Sequence, residues 1–370
     1  MPYKKNHKLR KPGGEYSVGC TRFEYEYDSK AKKSKRRIPC LCFYPSDAKD
    51  GLGSPKKYIS DILMPGAGEI LTNSYWDIPI LPGKHPFILY SHGLGSTLKE
   101  NTVQCEELAS NGYIVLSIGH ECSGVYEMEN GDILRWDSAK YLEQIKSTQS
   151  QSEIYRKWFE KNAGIAPIEE QVRRYQAHIG LHSYFATLTD VWLEDSLAAL
   201  EIFLNGDGKE NAKIRACVDR DKIGAMGMSF GGFMSLRLAF ESDLIKAGVN
   251  LDGNYWLGEW PETIDTPIMF MHRNDSKHLG ERLFPLLNTT GDFYAVKVNN
   301  STHPNFTDYS EIYVEDECAG NKVLGDINPD IMEQIMSTLV LDFFDKYFRQ
   351  KQSGYLDTGY WDEYVVISRK

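Results

Sequence analysis

The stretch DKIGAMGMSFGGFMSLRLAFES, residues 221–242, decides the fold. Its first half is a short apolar run typical of a buried strand, and its second half has the apolar spacing of a helix. Between them stands G-x-S-x-G, in the strand–turn–helix context that a nucleophile elbow requires. So tight a turn needs small residues two positions either side of the serine, here Gly227 and Gly231. The pattern predicts Ser229 as a nucleophile at a helix N-terminus, where the helix dipole favours negative charge; the alternative is an ordinary N-cap serine.

Strand and helix patterns alternate along the rest of the chain. Short apolar runs suit parallel strands that are covered on both faces, and helical patterns lie between them. This alternation predicts right-handed βαβ crossovers and an α/β fold, a mostly parallel doubly wound sheet with helices on both faces. The strand patterns are residues 21–27, 37–45, 86–93, 112–120, 221–229, 245–253, 266–275 and 293–303, and the helical ones are 103–112, 193–206, 231–242 and 331–348.

One α/β domain is predicted over residues 15–350, after a flexible basic lead (1–14) and before a C-terminal tail (351–370). Residues 134–192 are polar and helical, and they are far longer than a crossover needs. We interpret them as an inserted helical excursion over the sheet, either a lid or inert decoration. The charged segment 28–37 is expected to be a solvated hairpin tip, or else a contact for an anionic surface.

Composition excludes several classes of protein. The chain has 370 residues, of which 41% are hydrophobic and 25% charged, close to globular averages. Its net charge of −10 disfavours nucleic-acid binding, because phosphate backbones repel an acidic chain. No run reaches the ~18 apolar residues of a membrane helix. No apolar segment follows the basic start, so a cytoplasmic location is expected, with a secreted form whose signal was trimmed left open.

The cysteines predict neither a metal site nor a disulfide framework. They number seven, their spacing is irregular and no C-x-x-C pair occurs. We therefore expect free thiols that pack as small core residues, and no metal or cofactor.

A nucleophilic serine needs a base and an acid partner, which follow it in the order acid then histidine in this type of fold. His303 lies on the loop that leaves the last predicted strand and can reach over the elbow, whereas His272 lies within a strand. Two aspartates end strands at the same edge of the sheet, Asp252 and Asp275. The acid would hold the imidazole tautomer and stabilise the imidazolium, and geometry leaves both aspartates open.

An oxyanion hole needs two backbone N–H donors. The first is expected from Phe230, the residue after the nucleophile. The second is expected from Leu94, in the glycine-rich loop SHGLG (91–95) that follows an earlier strand and allows close backbone approach.

With these residues in place, the sequence resembles the platelet-activating-factor acetylhydrolase group of α/β-hydrolases, the lipoprotein-associated type and its bacterial relatives. The resemblance covers roughly residues 13–310. Its motifs are GGEYSVGCT (13–21), FYP (43–45), YSHGLG (90–95), NGYIVLSIGH (111–120), GMSFGG (227–232), NLDG (250–253) and STHPNF (301–306).

The resemblance implies a choice of acid and a type of substrate. In that family the acid follows the strand just after the elbow, which is the position of Asp252, 23 residues after Ser229. It also implies Leu94 and Phe230 as oxyanion donors and a small acyl group on a phospholipid-like or other apolar alcohol. Pocket residues are then expected among three aromatic side chains, Trp256, Trp260 and Phe306, and the alternative for each is plain packing in the core.

The function predicted is therefore a serine esterase that forms an acyl-serine intermediate and loses activity when acid protonates its base. A general carboxylesterase or polyester hydrolase would use the same residues, and a serine peptidase or a non-catalytic binding protein of the same fold are further alternatives. The partner expected is a small-molecule or lipid ester, with transient membrane-surface contact left open. Oligomeric state is not defined by the sequence.

Overall fold

The computed structural model describes residues 3–48, 53–162, 165–209, 211–256, 263–274, 289–314, 323–358 and 363–370. The strands in these ranges are β1 (Ser17–Ser29), β2 (Ser34–Ser46), β3 (Pro55–Lys57), β4 (Leu71–Trp76), β5 (His85–Ser91), β6 (Ile114–Ile118), β7 (Tyr126–Glu127), β8 (Ile133–Leu134), β9 (Val218–Met228), β10 (Ile245–Leu251), β11 (Ile268–Arg273), β12 (Phe293–Val298) and β13 (Val365–Arg369). The helices are α1 (Thr102–Ser110), α2 (Ser138–Asn162), α3 (Ile168–Gly180), α4 (Ser183–Asn205), α5 (Ala212–Ala216), α6 (Phe230–Glu241), α7 (Tyr309–Ile312) and α8 (Pro329–Arg349).

All the strands except the β7–β8 pair form one eleven-stranded sheet. Its order is β13-β12-β11-β10-β9-β5-β6-β2-β1-β4-β3, and the six strands from β12 to β6 run parallel. The β1–β2 hairpin pairs in full register from Ser17 with Ser46 to Ser29 with Ser34, and its turn is shorter than the predicted tip. The prediction of a mostly parallel α/β sheet is confirmed.

Side-chain alternation along the central strands builds a core on each face of the sheet. On β5, Ile88 and Tyr90 belong to a cluster that includes residues of α1 and α8. Phe87 and Leu89 belong to a second cluster with α4 and α6. Every residue of β5 is buried, which explains why its sequence reads as a continuous apolar run rather than an alternating one.

The inserted stretch consists of α2, α3 and the first half of α4. It is anchored by a third apolar cluster in which Phe159 and Tyr175 meet Phe233 of α6 and Tyr255. The Tyr175 hydroxyl also donates a hydrogen bond to the Tyr255 carbonyl. The insertion therefore packs against α6 and the loop after β10, on the edge of the sheet where parallel strands end. Whether it moves as a lid stays a prediction.

The two ends of the described chain are both docked. Residues 3–14, for which the sequence predicts a flexible lead, lie along the body: the Lys4 N–H donates to the Ile312 carbonyl and the Leu9 N–H to that of Leu71, both at 2.9 Å. Leu9 is buried in a small apolar cluster, which explains why the basic segment is held. Within the predicted tail, β13 pairs antiparallel with β12 at the edge of the sheet.

Free thiols are found at the described cysteines. Cys20, Cys40, Cys42 and Cys105 are buried, and Cys122 is exposed. Burial raises the pKa of Cys40, so its thiol is protonated and packs as a small apolar group. None of the helices in the described part of the chain has the length and apolar character needed to span a bilayer.

A buried ion pair joins the β1–β2 hairpin to α4. The Arg36 guanidinium donates to both carboxylate oxygens of Asp195, at 2.7 and 2.8 Å, and neither side chain is open to solvent. Tyr27 and His120 donate to the same carboxylate. Burial raises the pKa of Asp195, but the hydrogen bonds from Arg36 and His120 outweigh it and hold the pKa below its usual value.

Asp195→Asn is expected to lower the free energy of unfolding by about 3–5 kcal/mol, because it leaves the Arg36 charge buried without its counter-ion. Urea unfolding at neutral pH measures the loss. The matched control is Glu194→Gln, since the neighbouring half-buried Glu194 accepts hydrogen bonds from the hairpin turn at Ser29 and Lys30. The control is expected to lose less than about 1 kcal/mol. Equal losses in both variants would contradict the assignment of the ion pair as the anchor.

Candidate active site

Ser229 occupies the sharp turn between β9 and α6. Its φ of 55° and ψ of −117° are a strained combination for a residue with a side chain. The turn is possible because a Cβ on Gly227 would lie 2.2 Å from the Gly231 carbonyl oxygen, and one on Gly231 would lie 2.1 Å from the Ser91 carbonyl oxygen. Both glycines of the motif are therefore required by backbone contact, as the sequence predicts.

His303 begins a short 3-10 turn, His303–Phe306, on the loop after β12. Its Nε2 atom lies 3.0 Å from the Ser229 Oγ atom, and its Nδ1 atom lies 2.5 Å from the Asp252 Oδ2 atom. The turn is held by the buried Asn305, whose Oδ1 atom accepts from the N–H and the hydroxyl of Thr302. The structure thus brings together the three residues that the sequence predicts as nucleophile, base and acid.

Asp252 stands directly after β10 with a φ of 52°, and its carboxylate is buried. Its Oδ2 atom accepts from His303 and also from the Arg273 Nη1 atom at 2.8 Å. Its Oδ1 atom accepts from the Arg273 backbone N–H at 3.1 Å. Arg273 ends the neighbouring strand β11, so two adjacent strand ends fix the plane of the carboxylate. No motif in the sequence marks Arg273.

The alternative acid and the alternative base have different outcomes. Asp275 lies outside the described residues, so its position is not compared with that of Asp252. His272 lies on β11, and burial lowers its pKa to about 4. Its Nδ1 atom lies 3.1 Å from the Arg273 carbonyl oxygen and it makes no hydrogen bond to Ser229 within the described structure.

The loop after β5 lies against the nucleophile. A Cβ on Gly93 would be 3.3 Å from the Ser229 Cβ atom, so glycine allows the close approach. Within the part of the chain that the structure describes, neither the Leu94 N–H nor the Phe230 N–H has a protein acceptor. The Phe230 N–H opens α6 and is one of the N–H groups that a helix leaves unpaired. Both groups are thus available to a negatively charged oxygen beside Ser229.

Glu100 supports this loop and was missed by the sequence reasoning. Its buried Oε2 atom accepts from the Gly93 N–H at 2.6 Å, and its carbonyl accepts from the Asp308 N–H at 2.9 Å. Burial raises the pKa of Glu100, although the hydrogen bonds from Gly93 and Ser96 act in the opposite direction. Glu100 therefore ties the loop after β5 to the segment that follows His303, a link between residues far apart in sequence.

The three aromatic residues that the sequence predicts to line a pocket have different outcomes. Trp256 is half-buried and stacks on Phe185 of the insertion, with ring centroids 4.3 Å apart. Phe185 and Trp256 both lie near the Phe230 ring, with centroids 6.2 and 6.4 Å from it. Phe306 is fully buried in the core, so its prediction as a pocket residue is wrong: its side chain fills the core instead of facing substrate. Trp260 lies outside the described residues.

A second Ser–His–Asp line exists beneath the site. The His120 ring lies 3.0 Å from Asp195 through Nδ1 and 3.4 Å from the Ser91 hydroxyl through Nε2. Trp192 stacks on the ring at a centroid distance of 3.7 Å. All of these side chains are buried, so no ester can reach Ser91. We therefore interpret this line as part of the buried polar network around Arg36.

No group of three metal-ligating side chains occurs among the residues for which the structure gives positions. The site contains instead a strained serine, a histidine bonded to it, a buried aspartate and two free N–H groups. Set at the carboxyl edge of a mostly parallel doubly wound sheet, this arrangement defines an α/β-hydrolase.

Comparisons with known proteins agree with this class. The sequence model of the family "Platelet-activating factor acetylhydrolase, isoform II" matches residues 1–363. The platelet-activating factor acetylhydrolase of the dog, Canis lupus familiaris, is 23% identical over 97% of this chain and 80% of its own length. The chicken (Gallus gallus) protein of the same name is also 23% identical, over 98% of this chain and 87% of its own length.

Among solved structures, a ferulic acid esterase from Streptomyces cinnamoneus superposes with a TM-score of 0.69 at 19% identity, over 95% of this chain and 96% of that one. At that identity the likeness shows the fold. The family match spans nearly the whole chain, and the chain belongs to the platelet-activating factor acetylhydrolase, isoform II, family. It is a carboxylic ester hydrolase, and the resemblance seen in the sequence motifs is confirmed.

Proposed function

We propose that the protein is a serine esterase that removes a short acyl group from a phospholipid-like or other apolar alcohol. Ser229 is the nucleophile, His303 the general base and Asp252 the acid partner. The observation that carries this proposal is the continuous hydrogen-bonded line from the elbow serine through both ring nitrogens of His303 to the Asp252 carboxylate.

The reaction begins when the Ser229 Oγ atom attacks the ester carbonyl while the His303 Nε2 atom takes its proton. The carbonyl oxygen becomes an oxyanion, which the N–H groups of Leu94 and Phe230 stabilise. The imidazolium then gives its proton to the leaving alcohol, and an acyl-serine remains. Water attacks the acyl-serine with His303 again as base, and release of the acid regenerates Ser229. Asp252 stays ionised throughout and holds the ring orientation.

The relatives support a short acyl group, because their name denotes an acetylhydrolase of platelet-activating factor. A second candidate is a carboxylesterase for esters with an aromatic acyl group. This candidate is favoured by the aromatic side chains of Phe185 and Trp256, which lie near Phe230 beside the nucleophile. A flat aromatic acyl group stacks favourably on such side chains.

An acyl-chain series tests the proposal. Aryl esters from acetyl to decanoyl, a phospholipid with an acetyl group at its second position and a hydroxycinnamate ester are hydrolysed side by side. We expect acetyl to exceed octanoyl by about tenfold in kcat/KM, since extra methylenes that do not fit a pocket lose this much. A preference for long chains would contradict the short-acyl proposal, and a preference for the hydroxycinnamate would favour the second candidate. Labelling with a fluorophosphonate, followed by mass spectrometry, is expected to modify Ser229.

A further inference from the structure

The peptide between Gly93 and Leu94 carries the expected oxyanion donor. In a trans peptide the C=O and the N–H point in opposite directions, so whatever holds the carbonyl also aims the N–H. The Gly93 carbonyl oxygen lies 2.6 Å from the His92 Nδ1 atom and accepts from the Ser96 N–H at 3.1 Å. The direction of the Leu94 N–H therefore depends on the His92 side chain.

The protonation of His92 follows from its surroundings. The ring is fully buried, and burial, followed by the nearby His120, lowers its pKa to about 3, so the ring is neutral at physiological pH and carries one N–H. The Gly93 carbonyl can only accept a hydrogen bond. The proton must then be on Nδ1, and Nε2 must be an acceptor.

Tyr126 meets that acceptor. Its hydroxyl oxygen lies 2.5 Å from the His92 Nε2 atom and accepts from the His120 backbone N–H at 2.8 Å. The phenol has one proton, which the short contact directs to Nε2 rather than to the His120 carbonyl oxygen at 3.2 Å. The hydrogen bonds thus run in one direction, from the His120 N–H through Tyr126 and His92 to the Gly93 carbonyl. Bonds aligned in this way polarise one another in a buried site.

We propose that His92 and Tyr126 are positioning residues that aim and polarise the Gly93–Leu94 peptide, so that the Leu94 N–H is fixed towards the oxyanion. This inference rests on the proposed function, because it assumes a reaction at Ser229. Neither side chain touches substrate. Their contribution is to fix the donor before the reaction, so that no reorganisation is needed when charge develops.

Two substitutions at one position separate the positioning role from packing. In His92→Asn the amide nitrogen replaces the Nδ1 donor, whereas in His92→Gln it falls near the Nε2 position and the Gly93 carbonyl loses its donor. Tyr126→Phe keeps the ring and removes only the hydroxyl. Each variant is compared with the wild type for kcat, KM and thermal unfolding.

The readout is the ratio of kcat for an aryl acetate to kcat for the matching thionoacetate. Sulfur accepts hydrogen bonds poorly, so the ratio reports the contribution of the oxyanion donors and not the integrity of the fold. We expect His92→Gln to lower kcat for the ester by about 10–100-fold, part of the loss for a whole donor, with KM nearly unchanged. The thionoester rate should change little, Tyr126→Phe should lower the ratio less, and His92→Asn should stay near the wild type.

Parallel losses for ester and thionoester, or equal losses in His92→Asn and His92→Gln, would overturn the proposal and leave the pair a structural role. If His92→Gln fails to fold, an unchanged ratio in Tyr126→Phe overturns it equally. Ser229→Ala distinguishes the two levels of inference. Hydrolysis retained in Ser229→Ala would contradict the proposed function itself. Hydrolysis lost in Ser229→Ala, together with unchanged ester-to-thionoester ratios in His92→Gln and Tyr126→Phe, would contradict only the role of His92 and Tyr126.

Discussion

Ser229→Ala is expected to lower kcat for an aryl acetate by about 10⁶-fold. The substitution removes the atom that attacks the ester, and no other hydroxyl within the described structure accepts or donates a hydrogen bond at His303 Nε2. The fold should persist, because alanine meets the same strained backbone as serine at this turn. Steady-state rates give the loss, and circular dichroism with thermal unfolding checks the fold.

The matched control for this loss is Ser91→Ala. Ser91 belongs to the buried second line with His120, and its hydroxyl lies 3.4 Å from the His120 Nε2 atom, within hydrogen-bonding distance. We expect its substitution to leave kcat within a few-fold of the wild type. Substantial turnover in Ser229→Ala, or loss of turnover in Ser91→Ala with the fold intact, would contradict the assignment of Ser229 as the nucleophile.

Asp252→Asn is expected to lower kcat by about 10⁴-fold through the wrong imidazole tautomer. The carboxylate accepts at both oxygens, from His303 and the Arg273 side chain at Oδ2 and from the Arg273 backbone N–H at Oδ1. An amide has only one acceptor oxygen. When that oxygen faces the Arg273 backbone N–H, the NH₂ group of the amide faces the Nδ1 atom of His303. The ring must then carry its proton on Nε2, the nitrogen that faces Ser229.

Asp275→Asn is the comparison that decides between the two aspartates left open by strand-end geometry. We expect Asp275→Asn to lower kcat by at most about a hundredfold, against the loss of about 10⁴-fold expected for Asp252→Asn. A larger loss for Asp275→Asn would mean that the acid is Asp275 and that the contact between Asp252 and His303 has another purpose. Single-turnover acylation rates on both variants separate this effect from changes in product release.

The fold and the position of the serine in the elbow could be predicted from the sequence because their signals are local. The glycine spacing of the elbow and the apolar run of β5 can each be read from a few consecutive residues, although the backbone that makes Gly231 necessary is that of Ser91, far away in the chain. His303 followed from chain order and from its place after the last central strand. The choice of Asp252 needed the family resemblance, since two aspartates end neighbouring strands.

The parts that could not be predicted depend on contacts between distant segments. Glu100 and Tyr126 have ordinary sequence surroundings, and their importance appears only when each is seen against the loop after β5. Phe306 shows the opposite error, since it was expected to line a pocket but its side chain packs in the core. Residues 3–14 have few apolar side chains, and the burial of Leu9 could not be foreseen from a basic segment.

The strand β13 has a consequence for the loop that carries His303. An unpaired edge strand offers its N–H and C=O groups to any other chain, and β12 would be such an edge without its antiparallel neighbour. Because β12 leads into the loop of His303, the pairing with β13 also supports that loop, with the Asn299 N–H donating to the Tyr364 carbonyl at 2.8 Å. The strand closest to the end of the chain thus helps to hold the loop on which the proposed base lies.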